Sequence, residues 1–244
     1  MKTVVITGAS GGIGLALTKT FIKNGYFVIA QYNSNENSLS SLREELSSEG
    51  LGDFLFCVKA DFSSADGVKN LFSAINKSFK SIDLLINNAG VDLYKLCEET
   101  SDEELEKLVS INFKSAYALT GLCAPLLRKS ENASVINISS VWGVKGACME
   151  TAYSATKSAL IGATKALAKE LAPQIRVNCI TPGVIETPMN ACFSSTEMQD
   201  IIKEIPLGRI GKPEEIASLC AFLSSEVAKY ITGAIISIDG GYGL

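Results

Sequence analysis

Apolar and polar positions alternate along this chain in two rhythms. Short runs rich in β-branched residues, apolar at consecutive positions, occur at 3–7 (TVVIT), 26–31 (YFVIAQ), 54–60 (FLFCVKA), 82–87 (IDLLIN), 134–139 (SVINIS), 175–180 (IRVNCI) and 234–239 (AIISID). Hydrophobicity without alternation marks strands buried on both faces. Between the runs lie longer segments such as GIGLALTKTFIKNG and KPEEIASLCAFLSS, apolar at helical spacing. Pro213 stands at the expected first position of one helix, and Gly25 follows the end of another. Strands alternating with helices predict a single α/β domain over 1–244, a doubly wound, seven-stranded parallel sheet with helices on both faces. Residues 181–211, carrying Pro182, Pro188 and Pro206, break the rhythm as the one long irregular stretch. Loops of that length in a domain are usually functional, so a substrate lid is expected at about 188–208.

Composition narrows the chemistry. The 244 residues are 47% hydrophobic and 20% charged, ordinary for a soluble globular protein with a sizeable core. A net charge of −4, spread along the chain, argues against nucleic acid or an anionic membrane as partner. No apolar run approaches the roughly 18–20 residues needed to cross a bilayer. The short apolar segment in MKTVVITGAS is too brief for a signal peptide, so a cytoplasmic location is expected. Seven cysteines (57, 97, 123, 148, 179, 192, 220) make an odd set with no C-x-x-C pair, read as free thiols in a reducing compartment. No zinc-like spacing occurs, and no metal site is expected. Histidine is absent, which removes Ser-His and Cys-His nucleophile schemes and the commonest general base. Acid–base chemistry here must use other groups.

The first strand runs directly into TGASGGIG (7–14), which opens a helix. Glycines at a strand-to-helix turn let the backbone approach a pyrophosphate, whose charge then rests on the amide-rich helix end. The spacing is G-x-x-x-G-x-G, and the Lys-Ser/Thr ending of an ATP-binding loop is missing. After the second strand an acid would hold the ribose hydroxyls of NAD. Here Tyr32 and Asn33 stand instead, leaving room for a 2′-phosphate and favouring NADP over NAD, although that turn and the glycine loop contain no Arg or Lys.

Tyr153 and Lys157 are four apart in TAYSATKSAL (151–160), among Ala, Ser and Thr. Residues at i and i+4 share a helix face. A cation beside a phenol stabilises its anion, so the pair is expected to lower the tyrosine pKa from about 10 and exchange a proton near neutrality.

TGASGGIG, NNAG (87–90), INISS (136–140), the Tyr153–Lys157 pair and TPGVIETPM (181–189) occur in order across the chain. Together they resemble the short-chain dehydrogenase/reductase family with its Rossmann fold, most closely the 3-oxoacyl-[acyl-carrier-protein] reductases, as do GRIGKPEEIA and YITGAIISIDGG. The resemblance implies hydride reduction of a carbonyl, with Ser140 holding the substrate oxygen, Tyr153 as acid, Lys157 on the nicotinamide ribose and Asn112 holding a proton-relaying water. A helix-turn hydrogen bond is the other reading of Asn112. The resemblance further implies a dinucleotide held by Gly8, Ser10, Gly12, Ile13, Gly14, Asn33, Asp61, Phe62 and the stretch Asn87, Asn88, Ala89, Gly90, and at its nicotinamide end by Tyr153, Lys157, Pro182, Gly183, Ile185 and Thr187.

Trp142, Val144, Met149, Met189, Phe193 and Met198 are candidate substrate walls, of which about half are expected to touch substrate and the others to be core. The substrate implied is a 3-oxoacyl thioester, with acyl carrier protein as a partner docking on Arg128, Lys129 and Lys145. SSVWGVKGACMETAYSATK is also similar to reductases of a 5-aminopentanone-modified lysine on elongation factor P, and dehydrogenases of steroids or other secondary alcohols share the motifs. A dinucleotide sensor without catalysis is a further class, set against by the presence of both Tyr and Lys. Family members are mostly tetramers, so a homotetramer is expected.

Overall fold

The apolar runs pair as β1 (Thr3–Ile6), β2 (Phe27–Tyr32), β3 (Leu55–Lys59), β4 (Leu84–Asn87), β5 (Ala133–Ile138), β6 (Ile175–Pro182) and β7 (Ile235–Ile238), within one or two residues of the expected bounds. All pairings are parallel, in the order β3-β2-β1-β4-β5-β6-β7. The computed structural model describes residues 1–64 and 66–244, and the side chains of Ala191 and Cys192 also lie outside the description. The helices are α1 (Gly12–Lys23), α2 (Glu36–Ser48), α3 (Gly67–Ser78), α4 (Asp102–Val109), α5 (Ser115–Leu127), α6 (Trp142–Lys145), α7 (Thr151–Leu171), α8 (Ser195–Glu204) and α9 (Pro213–Ser224).

Strand alternation sends successive side chains to opposite faces. Val4 and Ile6 join Leu17, Phe21, Leu39 and Ile216 of α1, α2 and α9 in one core, while Val5 joins Leu71, Leu119 and Leu167 of α3, α5 and α7 in the other. Chain order reverses between β1 and β4, and the strand ends open there into a crevice, as doubly wound sheets require. A buried polar ladder crosses behind it: the Asn87 amide donates to Thr120 Oγ1 at 3.1 Å and Asn137 Oδ1 at 2.8 Å, and the Asn137 amide donates to Thr164 Oγ1 at 2.8 Å.

One segment departs from expectation. The stretch 181–211 is not irregular: β6 extends through Pro182, a 3-10 turn spans Pro188–Cys192, and α8 follows. The signal for α8 lies in the sequence as a capping box. Ser194 Oγ accepts from the Glu197 N–H at 3.3 Å, and the Glu197 carboxylate accepts from the Ser194 N–H at 2.8 Å. Prolines 188 and 206 flank the helix rather than interrupt it, so the segment expected as a lid carries a helix over Ser195–Glu204. Its Ile201, with Ile205, packs on Trp142, Val141 and Tyr242.

Candidate active site

The crevice is a cavity of about 650 Å³ running from the glycine loop to α7. At one end the backbone dominates. Gly8 has φ +63°, and a Cβ there would lie 2.8 Å from Ala89 Cα; a Cβ on Gly14 would lie 2.1 Å from the Gly8 oxygen. Only glycine permits this turn, and α1 therefore starts with its free amides facing the cavity. The loop is pinned from both sides: Gly8 N–H donates to Gln31 Oε1 at 2.8 Å, while the Asn88 amide donates to the oxygens of Thr7 (2.9 Å) and Gly8 (3.2 Å). Gln31 in turn donates to the Ala60 oxygen at 2.6 Å, carrying that order across to the Asp61–Phe62 wall.

At the other end side chains dominate. Ser140 follows β5, and Tyr153 and Lys157 occupy adjacent turns of α7; all three line the cavity and are buried. Ser140 Oγ accepts the Trp142 N–H at 3.1 Å, which leaves its hydroxyl proton to donate elsewhere. Ser139 Oγ donates instead to the Lys157 oxygen at 2.7 Å, so it ties strand to helix. Lys157 Nζ donates to the Ile138 oxygen at 3.1 Å and lies 5.6 Å from the Tyr153 ring centre.

The protonation states correct the expectation of an acidified phenol. Burial pushes the Tyr153 phenol up from its ordinary value; a hydrogen bond with Ser140 pulls it down, and the carboxyls of Asp92 and Glu150 push it up. Burial lowers Lys157 to about 8, against the pull of Cys179 and Asp92. Both groups lose more hydration than their partners restore, and the neutral phenol is the form the fold favours. A neutral phenol is what donates a proton; a lysine near 8 sits where its charge responds to modest changes nearby.

The family model described as Enoyl-(Acyl carrier protein) reductase matches residues 8–243. The chain is 39% identical over 242 residues to the uncharacterized oxidoreductase YmfI of Bacillus subtilis, covering 99% of this chain and 98% of YmfI. It is 39% identical over 241 residues to the 3-oxoacyl-[acyl-carrier-protein] reductase FabG of Thermotoga maritima, covering 98% of this chain and 97% of FabG. A solved short-chain dehydrogenase/reductase of Brucella melitensis superposes with a TM-score of 0.91 at 36% identity, covering 99% and 96% of the two chains. A 4-hydroxyisoleucine dehydrogenase complexed with NADH superposes at 0.90 with 33% identity, covering 99% and 98%. The chain belongs to the short-chain dehydrogenase/reductase family.

As an oxidoreductase of this family it binds a nicotinamide dinucleotide, and the cleft suits one. The glycine turn leaves no Cβ at the helix end, and Gly8, Ser10, Gly12, Ile13, Gly14, Asn33, Asp61, Phe62, Asn88, Ala89, Gly90, Pro182, Gly183, Ile185 and Thr187 all line the wall with Ser140, Tyr153 and Lys157. Asn87, expected beside them, points instead into the buried ladder. Asn112 is fully buried behind Gly90, inside a π-helical turn (Ser110–Lys114). Its amide oxygen accepts from the Val91 N–H at 2.8 Å, and its amide nitrogen donates to the Val91 oxygen at 2.9 Å and Thr156 Oγ1 at 3.1 Å. The Asn112 side chain is thus spent on positioning the 88–92 loop.

Of the candidate substrate walls, Trp142, Met189 and Phe193 line the cavity, joined by Ile201. Val144 is exposed instead, and Met149 and Met198 lie off the wall. Arg128 and Lys129 follow α5 at the opposite end of the strands, where Ser130 Oγ donates to Asp83 just before β4, so they make no basic patch beside the cleft. Lys145 is engaged by the Tyr242 ring at 4.1 Å and the Tyr242 oxygen at 2.9 Å.

Sequence reasoning missed Gln31, Asp92 and Glu150. Glu150 was within reach of it, since it stands one helical turn before Tyr153. Among the described residues, no group of His, Cys, Asp and Glu is placed to hold a metal, no helix is long and apolar enough to cross a membrane, and Cys57, Cys97, Cys123, Cys148, Cys179 and Cys220 are free. Cys192 lies outside the described side chains.

Proposed function

We propose that this protein is an NADP(H)-dependent reductase of a ketone carbonyl. The observation that carries the reading is the convergence of buried Ser140, Tyr153 and Lys157 on the same cavity whose far end is the glycine turn. Ser140 and Tyr153 donate hydrogen bonds to the carbonyl oxygen, aimed where negative charge develops, each worth about 3 kcal/mol in such sites. Tyr153, neutral in the folded chain, gives its proton to that oxygen. Lys157 holds the nicotinamide ribose and stabilises the phenolate left behind, while Asn112 holds the 88–92 loop beside it. The dinucleotide, when bound, supplies the hydride. Its pyrophosphate fits the amides of 8–14, its adenosine the wall of Asn33, Asp61 and Phe62, and its nicotinamide the backbone at 182–185 with Thr187. Asn33, Ser34 and Asn35 form a neutral rim after β2 on the cavity wall, while the Glu36 carboxylate beside them is engaged with Tyr32; the uncharged rim supports NADP over NAD.

A 3-oxoacyl thioester is the substrate supported by the kinship with FabG and by the apolar wall of Trp142, Met189, Phe193 and Ile201. A second reading, the ketone of 5-aminopentanone-modified lysine on elongation factor P, is favoured by the acidic pair Asp92 and Glu150 on the cavity wall and by the distance of Arg128 and Lys129 from the cleft. A cytoplasmic homotetramer completes the proposal; exposed Phe222, Val227, Tyr230 and Leu244 near the C-terminus offer apolar area for it, which light scattering tests. The deciding assay follows NADPH and NADH oxidation with acetoacetyl thioesters and with amino ketones. Turnover of a ketone with NADPH preferred is expected; dinucleotide binding without turnover of any carbonyl would make the protein a sensor.

A further inference from the structure

Two carboxyl groups on the cavity wall take no part in the reduction described above. Glu150 immediately precedes α7, three residues before Tyr153, and is only 7% exposed; Asp92 stands in the irregular stretch after β4 and is exposed. Their loops are fastened together, because the Lys95 N–H donates to the Met149 oxygen at 2.7 Å and Asn112 clamps Val91. The two side chains share a hydrogen bond, and burial together with Asp92 pushes Glu150 up to about 7. Among the described residues neither acid forms a salt bridge. Every neighbouring cation is committed: Lys95 to Glu104 at 2.7 Å, Lys145 to the Tyr242 ring and oxygen, and Lys157 to the Ile138 oxygen. A nine-tenths buried acid facing a cavity, with another acid for its partner, keeps its proton near neutrality; once ionised it is unfavourable unless a ligand brings the opposite charge.

We propose that Asp92 and Glu150 are specificity-determining residues that bind an alkylammonium group on the ketone substrate. The proposal rests on the reading of the cavity as a site of carbonyl reduction. An alkylammonium stays charged at neutral pH and has only donors to offer, matching two carboxyl groups that only accept once Glu150 ionises above about 7. Glu150 stands at the N-cap of α7, three residues before Tyr153, and both side chains line the same cavity, so a short methylene chain is expected to span from ketone to ammonium. Trp142, Met189, Phe193 and Ile201 furnish the apolar lining for that chain. A neutral acyl chain gains nothing from the pair and must leave it desolvated.

The test compares 5-(dimethylamino)pentan-2-one, which cannot close to a cyclic imine, with its uncharged isostere 6-methylheptan-2-one. At pH 8 the wild-type kcat/KM is expected to favour the cationic ketone by at least about tenfold, as desolvated charge pairs do. Asp92→Asn and Glu150→Gln should each bring that ratio toward one, chiefly through KM. Asp92 is exposed, so its variant keeps the test open should Glu150→Gln fold poorly. Calorimetric titration with pentylammonium and 1-pentanol reads the subsite without turnover. Equal losses on both ketones in the variants would mean that the pair only tunes Tyr153, and would overturn the proposal. Absence of any preference for pentylammonium over 1-pentanol overturns it too, even with ketones reduced. Pentylammonium binding with no ketone turned over would leave the subsite standing and remove the reductase reading.

Discussion

The two ends of one cleft are made by opposite means. The dinucleotide end is a matter of backbone: glycines whose missing Cβ atoms create the turn, amides at the start of α1, and a single layer of side-chain supports in Gln31 and Asn88. The reaction end is a matter of side chains: Glu150, Tyr153 and Lys157 are buried on one wall beside exposed Asp92, and burial is the largest cause of shift in all three. A motif of small residues is informative because sterics are local. Protonation depends on desolvation, which exists only once the helix has docked.

The comparison breaks or sharpens under four measurements. Tyr153→Phe should have the largest effect, lowering kcat by about 10²–10⁴ as loss of a general acid does, while dinucleotide binding measured by fluorescence titration persists. If most activity survives, Tyr153 is not the acid. Gly8→Ala acts at the other end, where φ +63° and the 2.8 Å approach to Ala89 Cα resist a side chain. A strain of about 1–2 kcal/mol is expected, seen as roughly tenfold weaker dinucleotide binding, with kcat at saturation falling far less than in Tyr153→Phe. A kcat loss as large as that of the tyrosine variant would erase the distinction between the two ends.

Stability against pH gives a smaller, two-sided effect, read from melting in the absence of ligand. Glu150 holds its proton more tightly folded (about 7) than its ordinary 4.5, so its contribution is present below 4.5 and is lost as pH rises through 7. Lys157 is depressed from 10.5 to about 8, so the penalty of burying its charge is relieved as pH rises from 8 through 10.5. Glu150→Gln should flatten the first slope and leave the second; a profile flat in both windows would contradict the desolvated reaction end. The smallest effect belongs to α8. Ser194→Ala removes one partner of the α8 capping box, costing about 1 kcal/mol locally, visible as faster amide exchange in 195–204 with little change in global melting.

Much of this molecule was legible in one dimension. The seven strands follow from unbroken apolar runs, and their parallel pairing follows from the intervening helical periods. Each dinucleotide-site residue implied by the motif resemblance, apart from Asn87, lines the cavity. Asn87 was misplaced because strand alternation sends it inward, to Thr120 and Asn137. The helix within 181–211 was hidden by its flanking prolines, although Ser194 and Glu197 encode its start.

What the sequence by itself determined is the sheet, the glycine turn and the presence of Ser140, Tyr153 and Lys157 at family spacing, because strand period, helix period and the lack of a Cβ are local properties. Tertiary structure alone decided that the phenol is held neutral and the lysine lowered to about 8, that Arg128 and Lys129 lie at the end of the strands away from the cleft, and that Asp92 meets Glu150. Those depend on which groups lose water and which charges come beside them, and residues 58 positions apart in the chain share a cavity wall only after the fold has brought them together.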